Sequence, residues 1–412
     1  MIYKIMLIPL LQLLVLPPFY GCSPKVNTVS TIPSDNASFS IKDTTILPGA
    51  YQIKEYLPLL QRKRVGLVIN QTSMIGNTSL LDSLLHLGVD VKKIFIPEHG
   101  FRGTDSNGAT ISNSTDQKTG LPLISLYGKN KKPKSTDLEG LDLIIFDIQD
   151  VGVRFYTYIS TLHYILESCA ENNMEILVLD RPNPNGFYID GPVLDTQFRS
   201  FIGMHPIPIV YGLTIGELSK MIQGEEWINK AKSLKLKVIQ CQNYSHSSHY
   251  ILPIAPSPNL PNQLSILLYP SLCLLEGTTV SLGRGTPYPF QLYGHPEFTK
   301  GDTVFIPKEN VGAKDPPFNG ISCKGFSLTT TSITSCYQSK KINLKPILNA
   351  KQCLKGGSLF FLKNNFIHKL AGTQDLKNQI EENWSEEKIR QSWQEKLNQY
   401  KAKRLKYLIY TD

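Results

Sequence analysis

A carboxylate, an imidazole and a guanidinium follow one another closely in the chain, as Glu98, His99 and Arg102. A carboxyl group can act as an acid or a base, and a guanidinium can bind an anionic group. The apolar run 94–96 before them predicts a short buried strand, which a proline ends. Because ligands of open α/β sheets bind beyond the carboxyl ends of the strands, this cluster is a candidate site. A surface turn with a salt bridge is the alternative that this segment alone leaves open.

The elements that must position this cluster follow a repeating pattern of apolar strand, polar residue and helix. The apolar runs are 65–69, 94–96, 143–146 and 176–179. Nearly continuous apolar runs are typical of strands that are buried on both faces of a parallel sheet. The polar residues that such a sheet brings to its carboxyl edge are Asn70, Glu98, Asp147 or Asp150, and Asp180. A single polar residue after a strand can simply cap the following turn. Four such residues at one edge of the sheet predict a functional site.

Helical spacing of apolar residues predicts helices over 80–87 and 161–170. Near the end of the chain, Ser385 is expected to cap a closing helix whose apolar stripe includes Trp393. Residues 405–410 are expected to return as a strand. The sequence shows no internal repeat.

The composition of the sequence changes beyond about residue 245, where prolines cluster and the pattern of apolar residues weakens. We therefore predict an α/β domain, which carries the candidate site, over 46–245 and a smaller α+β domain over 246–412. A chain of 412 residues is long enough for two domains.

The N-terminus has the pattern of a targeting segment. A lysine precedes the apolar run 5–16, which is too short to span a bilayer as a mature helix. The Gly-Cys pair that follows resembles the bacterial lipoprotein processing site. We expect a signal peptide over 1–21, a lipid on Cys22, a flexible tether over 22–45, and attachment to a cell-envelope membrane on its periplasmic side. Ordinary secretory cleavage is the alternative.

Composition and motifs exclude several classes of protein. The hydrophobic content of 41% and charged content of 19% are ordinary for a soluble globular protein. The net charge is +9, but no basic run with interleaved aromatic residues indicates a nucleic-acid partner. No GxGxxG motif follows the first strand and no P-loop is present, so a nucleotide role is disfavoured. The cysteines have no metal-binding spacing, so we expect neither a metal nor a cofactor, although Cys323, Cys336 and Cys353 could pair in an oxidising compartment.

A set of longer motifs carries a family resemblance. These motifs are NQT at 70–72, PEHGFRG at 97–103, SLYG at 125–128, FDIQDVG at 146–152, RFYTY at 154–158, DRPNP at 180–184, GPVL at 191–194, PSPN at 256–259, EGT at 276–278, SLGRGT at 281–286 and KRLKYL at 403–408. Together they span roughly residues 46–412 and resemble the exo-β-N-acetylmuramidase family of peptidoglycan glycosidases. One departure is YGLT at 211–214, where the family usually has His-Gly-Met-Thr.

The resemblance implies a Rossmann-like, mostly parallel sheet domain, a smaller α+β C-terminal domain, and an active site in the cleft between them. It implies an exo-acting glycoside hydrolase that releases terminal β-1,4-linked N-acetylmuramic acid from the non-reducing end of peptidoglycan fragments. The expected partners are therefore muropeptides or disaccharides from peptidoglycan. The sequence leaves the oligomeric state open.

Cleavage of a glycosidic bond requires a proton for the leaving oxygen and stabilisation of an oxocarbenium-like centre. Glu98 matches the family's presumed catalytic acid. Asp150, Asp147 and Glu276 are the candidates for a base, a nucleophile or a stabiliser. The acetamido group of the sugar is the alternative nucleophile, in which case a carboxylate only orients it.

The predicted substrate-binding residues are Asn70, His99, Arg102, Arg154, Tyr156, Asn259 and Arg284. An arginine suits the lactyl carboxylate of muramic acid, with structural ion pairing as the alternative for each arginine. A tyrosine can stack on a sugar ring, and the asparagines can bind hydroxyl or acetamido groups. We expect His99 to hydrogen-bond Glu98 or the sugar rather than to bind a metal.

Two other functions compete with this hypothesis. A non-catalytic muropeptide-binding envelope lipoprotein could keep the cleft without turnover. An esterase or deacetylase acting on the same polymer is disfavoured, because neither a Gly-x-Ser-x-Gly motif nor a zinc triad is present.

Overall fold

The computed structural model describes residues 45–97, 114–128 and 130–412. The predictions that concern Cys22, Glu98, His99 and Arg102 therefore lie outside the described residues.

The strands alternate with helices in the first half of the chain, and helices dominate its end. The strands are β1 Val65–Ile69, β2 Met74–Ile75, β3 Thr78–Ser79, β4 Val91–Ile96, β5 Ser114–Thr115, β6 Pro122–Ser125, β7 Leu143–Asp147, β8 Glu175–Leu179, β9 Lys235–Ile239, β10 Leu292–His295, β11 Thr303–Phe305 and β12 Cys323–Ser327. The α-helices are α1 Ile53–Tyr56, α2 Leu80–His86, α3 Ser135–Leu138, α4 Tyr158–Glu171, α5 Ile215–Gly224, α6 Gln263–Leu272, α7 Ile333–Ser339, α8 Lys345–Cys353, α9 Phe366–Ala371, α10 Asp375–Glu381, α11 Glu386–Ser392 and α12 Gln394–Arg404.

Seven strands form the main sheet, in the order β5-β6-β4-β1-β7-β8-β9. Every neighbouring pair is parallel except β5 with β6. The four strands that the sequence predicts, β4, β1, β7 and β8, are adjacent at its centre. Central strands are covered on both faces, and this is why they appear as continuous apolar runs. The predicted α/β fold with a mostly parallel sheet is confirmed.

The two faces of the sheet carry separate hydrophobic clusters. Along β1, Val68 packs into the larger cluster, whereas Leu67 and Ile69 pack into the smaller one. Helices α4 and α5 supply side chains to the larger cluster, and α2 supplies side chains to the smaller cluster. The sheet therefore lies between two helical layers, and its carboxyl edge is where loops from neighbouring strands meet.

The part of the chain beyond β9 adds helices and a second, three-stranded antiparallel sheet in the order β10-β12-β11. Its side chains join the larger cluster directly. The rings of Phe155 and Tyr269, for example, pack edge to face with centroids 5.3 Å apart. The larger core thus contains residues from both sides of position 245, and the boundary placed there stays a prediction.

Two predictions about the end of the chain are wrong. The closing helix is two helices, α11 and α12, because Trp393 adopts φ −104° and ψ 0° between them while its ring packs into the core. Ser385 does cap α11, accepting from the Lys388 N–H. Residues 405–407 form a 3-10 helix rather than a strand, and the N–H groups that follow donate to the buried Glu217 carboxylate instead of to a neighbouring strand.

None of the cysteines in the described part of the chain forms a disulfide bond. This includes Cys323, Cys336 and Cys353, which the sequence analysis named as residues that could pair. Cys169 and Cys273 are core residues as expected. Within the ranges that the structure covers, no helix combines the length and apolarity needed to cross a membrane.

Candidate active site

Asn70 follows β1 at the carboxyl edge of the sheet and is 2% exposed. Its Oδ1 accepts hydrogen bonds from the Thr72 N–H at 2.9 Å and the Thr72 hydroxyl at 2.6 Å. The same hydroxyl accepts the Gln149 N–H at 3.0 Å, which ties the loop after β1 to the loop after β7. The Nδ2 of Asn70 is buried and has no partner among the described residues. This amide therefore offers, at the sheet edge, a donor that no described residue uses.

Asp150 lies in the loop after β7, the strand next to β1, and is 5% exposed. Its Oδ2 accepts from the Gly152 N–H at 2.6 Å and from the Tyr211 hydroxyl. Its Oδ1 is buried without a partner in the described ranges. Burial raises the pKa of Asp150 to about 7, although the hydrogen bond from Tyr211 acts against that rise. We call Asn70 and Asp150 the open pair, because each has one buried polar atom without a partner in the part of the chain that the structure describes.

Tyr211 reaches Asp150 because the segment before it runs beside the segment after Asp150. Val153 and Val210 form an isolated antiparallel bridge, and the Arg154 N–H donates to the Ile209 carbonyl at 2.8 Å. The sequence singled out Tyr211 only as a departure from the family pattern. Its contact with a carboxyl group depends on a pairing across more than fifty residues, which the sequence does not reveal.

Pro256 connects the loop after β1 to a second group of predicted site residues. Its carbonyl accepts the Tyr156 hydroxyl at 2.9 Å and the Gln71 Nε2 at 3.2 Å. Burial raises the pKa of Tyr156, and the negative charge of Asp150 adds a smaller rise. Tyr156 is hydrogen-bonded to the loop that contains the PSPN motif.

A cavity of about 140 Å³ lies beyond Tyr156 and brings together residues that are distant in the chain. Tyr156, Asn259, Glu276 and Arg284 line it, and each is a predicted site residue. We call this the site cavity. Asn259 also donates to the Gly312 carbonyl at 2.7 Å, which holds its amide in the cavity wall. The structure thus assembles four of the predicted residues around one space.

Glu276 and Arg284 form an ion pair in the wall of the site cavity, with about a quarter of each side chain exposed. Glu276 Oε1 accepts from both the Nε, at 3.0 Å, and the Nη2 of Arg284. The guanidinium also lies over the Phe290 ring, 4.9 Å from its centroid. Phe290 has φ 54°, a conformation that is costly for an aromatic residue and that concentrates at functional sites.

The predicted contact between Arg154 and the substrate is wrong, because its guanidinium is fully buried. It donates to four carbonyls, of Pro192, Ile207, Leu370 and Ala371, at 2.6–2.9 Å. Burial also lowers the pKa of Arg154 to about 9. Arg154 therefore joins segments of the chain that are more than two hundred residues apart.

Two other strand-end carboxylates belong to a group that we call the saturated cluster. The saturated cluster consists of Asp147, Asp180, Arg181 and Glu217. Both oxygens of Asp147 accept from the Arg181 guanidinium, at 2.5 and 2.8 Å, and the side chain is fully buried. Asp147 is therefore not available as a base or a nucleophile, contrary to one of the alternatives that the sequence left open.

Asp180 has a structural role. Its Oδ2 accepts the hydroxyls of Thr214 and Tyr410, each at 2.7 Å. Its Oδ1 accepts the N–H groups of Arg181 and Gly216. Burial raises the pKa of Asp180 to about 6, and these donors work against that rise. The carboxylate thus fastens the loop after β8 to α5 and to the end of the chain.

The predicted acid, Glu98, and its neighbours His99 and Arg102 lie outside the described residues, so their roles stay predictions. The strand that leads to them is placed: β4 ends at Ile96 and pairs with β1 on one side and β6 on the other. Within the described ranges, no group of three or more His, Cys, Asp or Glu side chains is arranged to hold a metal ion.

Comparisons with known proteins match nearly the whole described chain. Family models for the N-terminal and C-terminal parts of exo-β-N-acetylmuramidase NamZ match residues 65–264 and 267–410. A peptidoglycan β-N-acetylmuramidase NamZ of Bacillus subtilis (strain 168) is 38% identical over 387 residues, covering 89% of this chain and 90% of the relative.

Solved structures give the same fold. A DUF1343 family protein from Bacteroides fragilis NCTC 9343 is similar with a TM-score of 0.83 and 44% identity, over 89% of this chain and 99% of that chain. A second DUF1343 family protein from the same organism is similar with a TM-score of 0.76 and 27% identity, with the same coverage of both chains.

Proposed function

Because the chain belongs to the exo-β-N-acetylmuramidase NamZ family, we propose that it is an exo-acting glycoside hydrolase that releases terminal β-1,4-linked N-acetylmuramic acid from the non-reducing end of peptidoglycan fragments. The structural observation that supports this proposal is the open pair. An unsatisfied amide donor and an unsatisfied carboxylate oxygen follow neighbouring central strands, where α/β proteins bind their ligands. Other buried polar atoms in the described chain also lack a partner, such as the Nε of Arg154, so it is the position of these two atoms at the ligand-binding edge of the sheet that supports the proposal.

In the proposed reaction, Glu98 donates a proton to the leaving oxygen, and Asp150 is the second carboxyl group. A carboxyl group with a pKa near 7 can hold or release a proton at neutral pH, and Asp150 has such a pKa because it is buried. An oxygen without a partner is also what a residue needs to face the reacting sugar or its acetamido N–H.

Glu276 is better suited to positioning than to proton transfer. Its Oε1 accepts two donors from Arg284, which keeps the guanidinium fixed above the Phe290 ring. A fixed, planar guanidinium is suited to binding a carboxylate such as the lactyl group of muramic acid. We propose that Arg284 reads that group from the wall of the site cavity, together with Arg102. Asn70 and Asn259 are the proposed partners of the hydroxyl and acetamido groups.

The experiment that tests this function compares wild type and Glu98→Gln on two substrates. These are the natural disaccharide, N-acetylmuramic acid β-1,4-linked to N-acetylglucosamine, and an aryl β-N-acetylmuramide with an activated leaving group. The variant should lose about 10²–10⁴-fold in kcat on the disaccharide, and less on the aryl substrate, which needs less protonation. Equal losses would assign Glu98 to another step, and binding of the disaccharide by wild type without turnover would make the protein a binding module.

The same substrates test the reading of the lactyl carboxylate. N-acetylglucosaminides lack this group, so kcat/KM on the corresponding aryl glucosaminide should be at least ~100-fold lower. Comparable values on both sugars would show that no arginine reads the lactyl group.

We also propose that the mature protein is a lipid-anchored protein on the periplasmic side of a cell-envelope membrane. The support is the sequence alone: the apolar run 5–16, the Gly-Cys pair that ends at Cys22, and the polar tether over 22–45. Cys22→Ala should release the protein from the membrane fraction and remove a lipid-sized mass. Unchanged fractionation, with no lipid mass on the wild type, would contradict the anchor.

A further inference from the structure

A pocket of about 280 Å³ lies on the far side of helix α6 from the site cavity. Leu267 and Ser271, one helical turn apart, line this pocket, whereas Tyr269 between them lines the site cavity. Residues four apart share one face of a helix, and a residue two positions on lies on the opposite face, so α6 separates the two spaces. We call this space the lysine pocket, after Lys341 and Lys345 in its wall. None of its described lining residues takes part in the chemistry proposed above.

The lysine pocket carries positive charge that the protein does not neutralise. Lys341 and Lys345 are exposed, and neither ammonium group forms a hydrogen bond or an ion pair with a described residue. Glu386 is the one carboxylate among the described lining residues, and it accepts from the Nε and Nη2 of Arg390 at 3.1 and 3.0 Å. A hydrogen bond from its own N–H lowers the pKa of Glu387, and the charge of Lys341 adds to this effect, but Glu387 does not line the pocket. The pocket therefore suits an anionic group.

Hydroxyl groups in the same pocket have hydrogen-bonding capacity left over. The Ser271 Oγ accepts the Asn343 N–H at 2.9 Å, and the hydroxyl donates to no described residue. The hydroxyls of Thr331 and Ser335 also line the pocket and form no hydrogen bond within the described chain. A hydroxyl can both donate and accept, as the hydroxyls of a sugar do.

An aromatic surface completes the lysine pocket. Phe187 and Tyr188 line it, and both are half-buried. The Phe187 ring lies 4.9 Å from the Tyr188 ring and packs edge to face on the Tyr337 ring at 5.0 Å, measured between centroids. The His249 ring stacks on Tyr337 in turn, at 3.8 Å. Neighbouring rings thus hold Phe187 in place, and a fixed ring is suited to packing against the apolar C–H face of a pyranose.

These three features together fit a sugar that carries a carboxylate. The volume of the lysine pocket is at the lower end for ligand sites, which measure roughly 300–1,000 Å³, so it suits one sugar residue rather than a chain. The lactyl group of N-acetylmuramic acid is a free carboxylate only where no stem peptide is attached. A stem peptide forms an amide with this carboxylate and removes its charge, so the two lysines favour the peptide-free sugar.

We propose that the lysine pocket is a second, non-catalytic binding site for an N-acetylmuramic acid residue with a free lactyl carboxylate. It holds a peptide-free glycan strand on the enzyme while the active site acts on a chain end. Lys341 and Lys345 bind the carboxylate, and Phe187 packs against the sugar ring. The inference rests on the proposed function.

The test measures the dissociation constant for peptide-free glycan strands that end in N-acetylglucosamine at the non-reducing end, which an exo-muramidase does not cleave. Chitin oligosaccharides of the same length have the same sugar rings without lactyl groups. Wild type should bind the glycan strands at least ~10-fold more tightly than chitin, and Lys341→Ala/Lys345→Ala should abolish this difference. The kcat/KM of this variant on the aryl β-N-acetylmuramide should stay at the wild-type value, because α6 separates the lysine pocket from the site cavity.

A second variant closes the pocket without a change of charge. Ser335→Trp places a bulky side chain in its wall and should also weaken strand binding by about 10-fold. Thr334→Trp is the matched control, because Thr334 is exposed on the same helix, α7, and does not line the pocket. Lys235→Ala/Lys237→Ala is the control for charge, since it removes two exposed lysines from β9. Both controls should bind the strands as wild type does.

Equal affinity of wild type for glycan strands and chitin would overturn the proposal, as would unchanged strand binding in both pocket variants. An equal loss in Lys235→Ala/Lys237→Ala would show attraction by overall charge and would also overturn it. Tighter binding of strands that carry stem peptides would identify a peptide pocket instead. If Lys341→Ala/Lys345→Ala folds poorly, its aryl kcat/KM falls as well, and Ser335→Trp then decides. If wild type fails to cleave the aryl muramide, the proposed function is wrong, whereas the binding measurements still decide the pocket.

Discussion

The open pair and the saturated cluster lie at the carboxyl edge of the same sheet, but their hydrogen bonding differs. In the saturated cluster, every oxygen of its three carboxylates accepts at least one hydrogen bond within the described chain. In the open pair, the Nδ2 of Asn70 and the Oδ1 of Asp150 have none there. Both groups are buried and both contain a carboxyl group, so neither feature distinguishes a site. Unmet hydrogen-bonding capacity is what separates the two.

The largest effect is expected from Asp150→Asn, which should lower kcat on the disaccharide by about 10²–10⁴-fold. The change keeps the shape of the side chain but removes a group that can exchange a proton. Because Asp150 has an unsatisfied oxygen, the thermal stability at pH 7.5 should not fall. Steady-state kinetics and melting curves measure the two effects. Near-wild-type turnover would place Asp150 outside the mechanism and would break the distinction between the two groups.

Asp147→Asn should have the opposite profile. It removes a carboxylate that holds the buried Arg181 through two hydrogen bonds, and leaving such a charge unpaired costs about 3–5 kcal/mol of unfolding free energy. The kcat of the folded fraction should stay near wild type, because Asp147 has no atom left for a substrate. Denaturant unfolding and active-site titration check this. A stable Asp147→Asn variant that lacks activity would assign catalytic work to the saturated cluster.

The central sheet could be predicted from the sequence because strands buried on both faces must be apolar throughout, as in 65–69 and 143–146. The convergence of polar strand ends then follows from parallel geometry. Which strand ends are structural could not be predicted, since it depends on partners far along the chain. Arg154 illustrates this point, because two of its acceptors, at 370 and 371, lie in the C-terminal part.

For the site cavity too, only part of the arrangement could be predicted from the sequence. Glu276 and Arg284 belong to motifs that the sequence singled out, yet their pairing, and the place of Phe290 beneath the guanidinium, emerge only in the folded chain. The closing helix shows the same limit on a local scale. Its apolar stripe is continuous in sequence, but the helix is interrupted at Trp393, whose backbone has φ −104° and ψ 0°, and this divides it into α11 and α12.

The pH dependence of stability offers a smaller and sharper test of the open pair. The pKa of folded Asp150 is raised to about 7 by burial, above the value of about 3.9 in an unfolded chain. The folded state therefore binds this proton more tightly, and the stability that results is present below pH 4 and is lost as the pH rises through 7. Relative to wild type, Asp150→Asn should gain up to about 4 kcal/mol in unfolding free energy between pH 4 and pH 8.

A matched control for that trend is Asp195→Asn. The N–H of Gln197 lowers the pKa of Asp195, so its contribution to stability is lost as the pH falls. Because the pKa of Asp195 lies below this range, the difference between Asp195→Asn and wild type should stay nearly constant in urea titrations from pH 4 to pH 8, whereas the difference for Asp150→Asn should grow. A nearly constant difference for both variants would mean that Asp150 does not titrate near neutrality.

The smallest effect is expected from Tyr211→Phe, which removes the hydroxyl that donates to Asp150 and leaves the ring in place. This hydrogen bond favours the charged carboxylate, so its loss should raise the pKa of Asp150 by about one to two units. One limb of the profile of kcat/KM against pH should move upward by that amount. Movement of the acidic limb would mean that Asp150 works as a carboxylate, and movement of the alkaline limb would mean that it works as an acid.

Tyr400→Phe is the control, because the Tyr400 hydroxyl donates to the Tyr211 carbonyl rather than to the Asp150 carboxyl group, so the pH profile of this variant should not move. A Tyr211→Phe profile that matches wild type would separate Asp150 from the titration that governs activity, and the unsatisfied oxygen would then need a structural explanation.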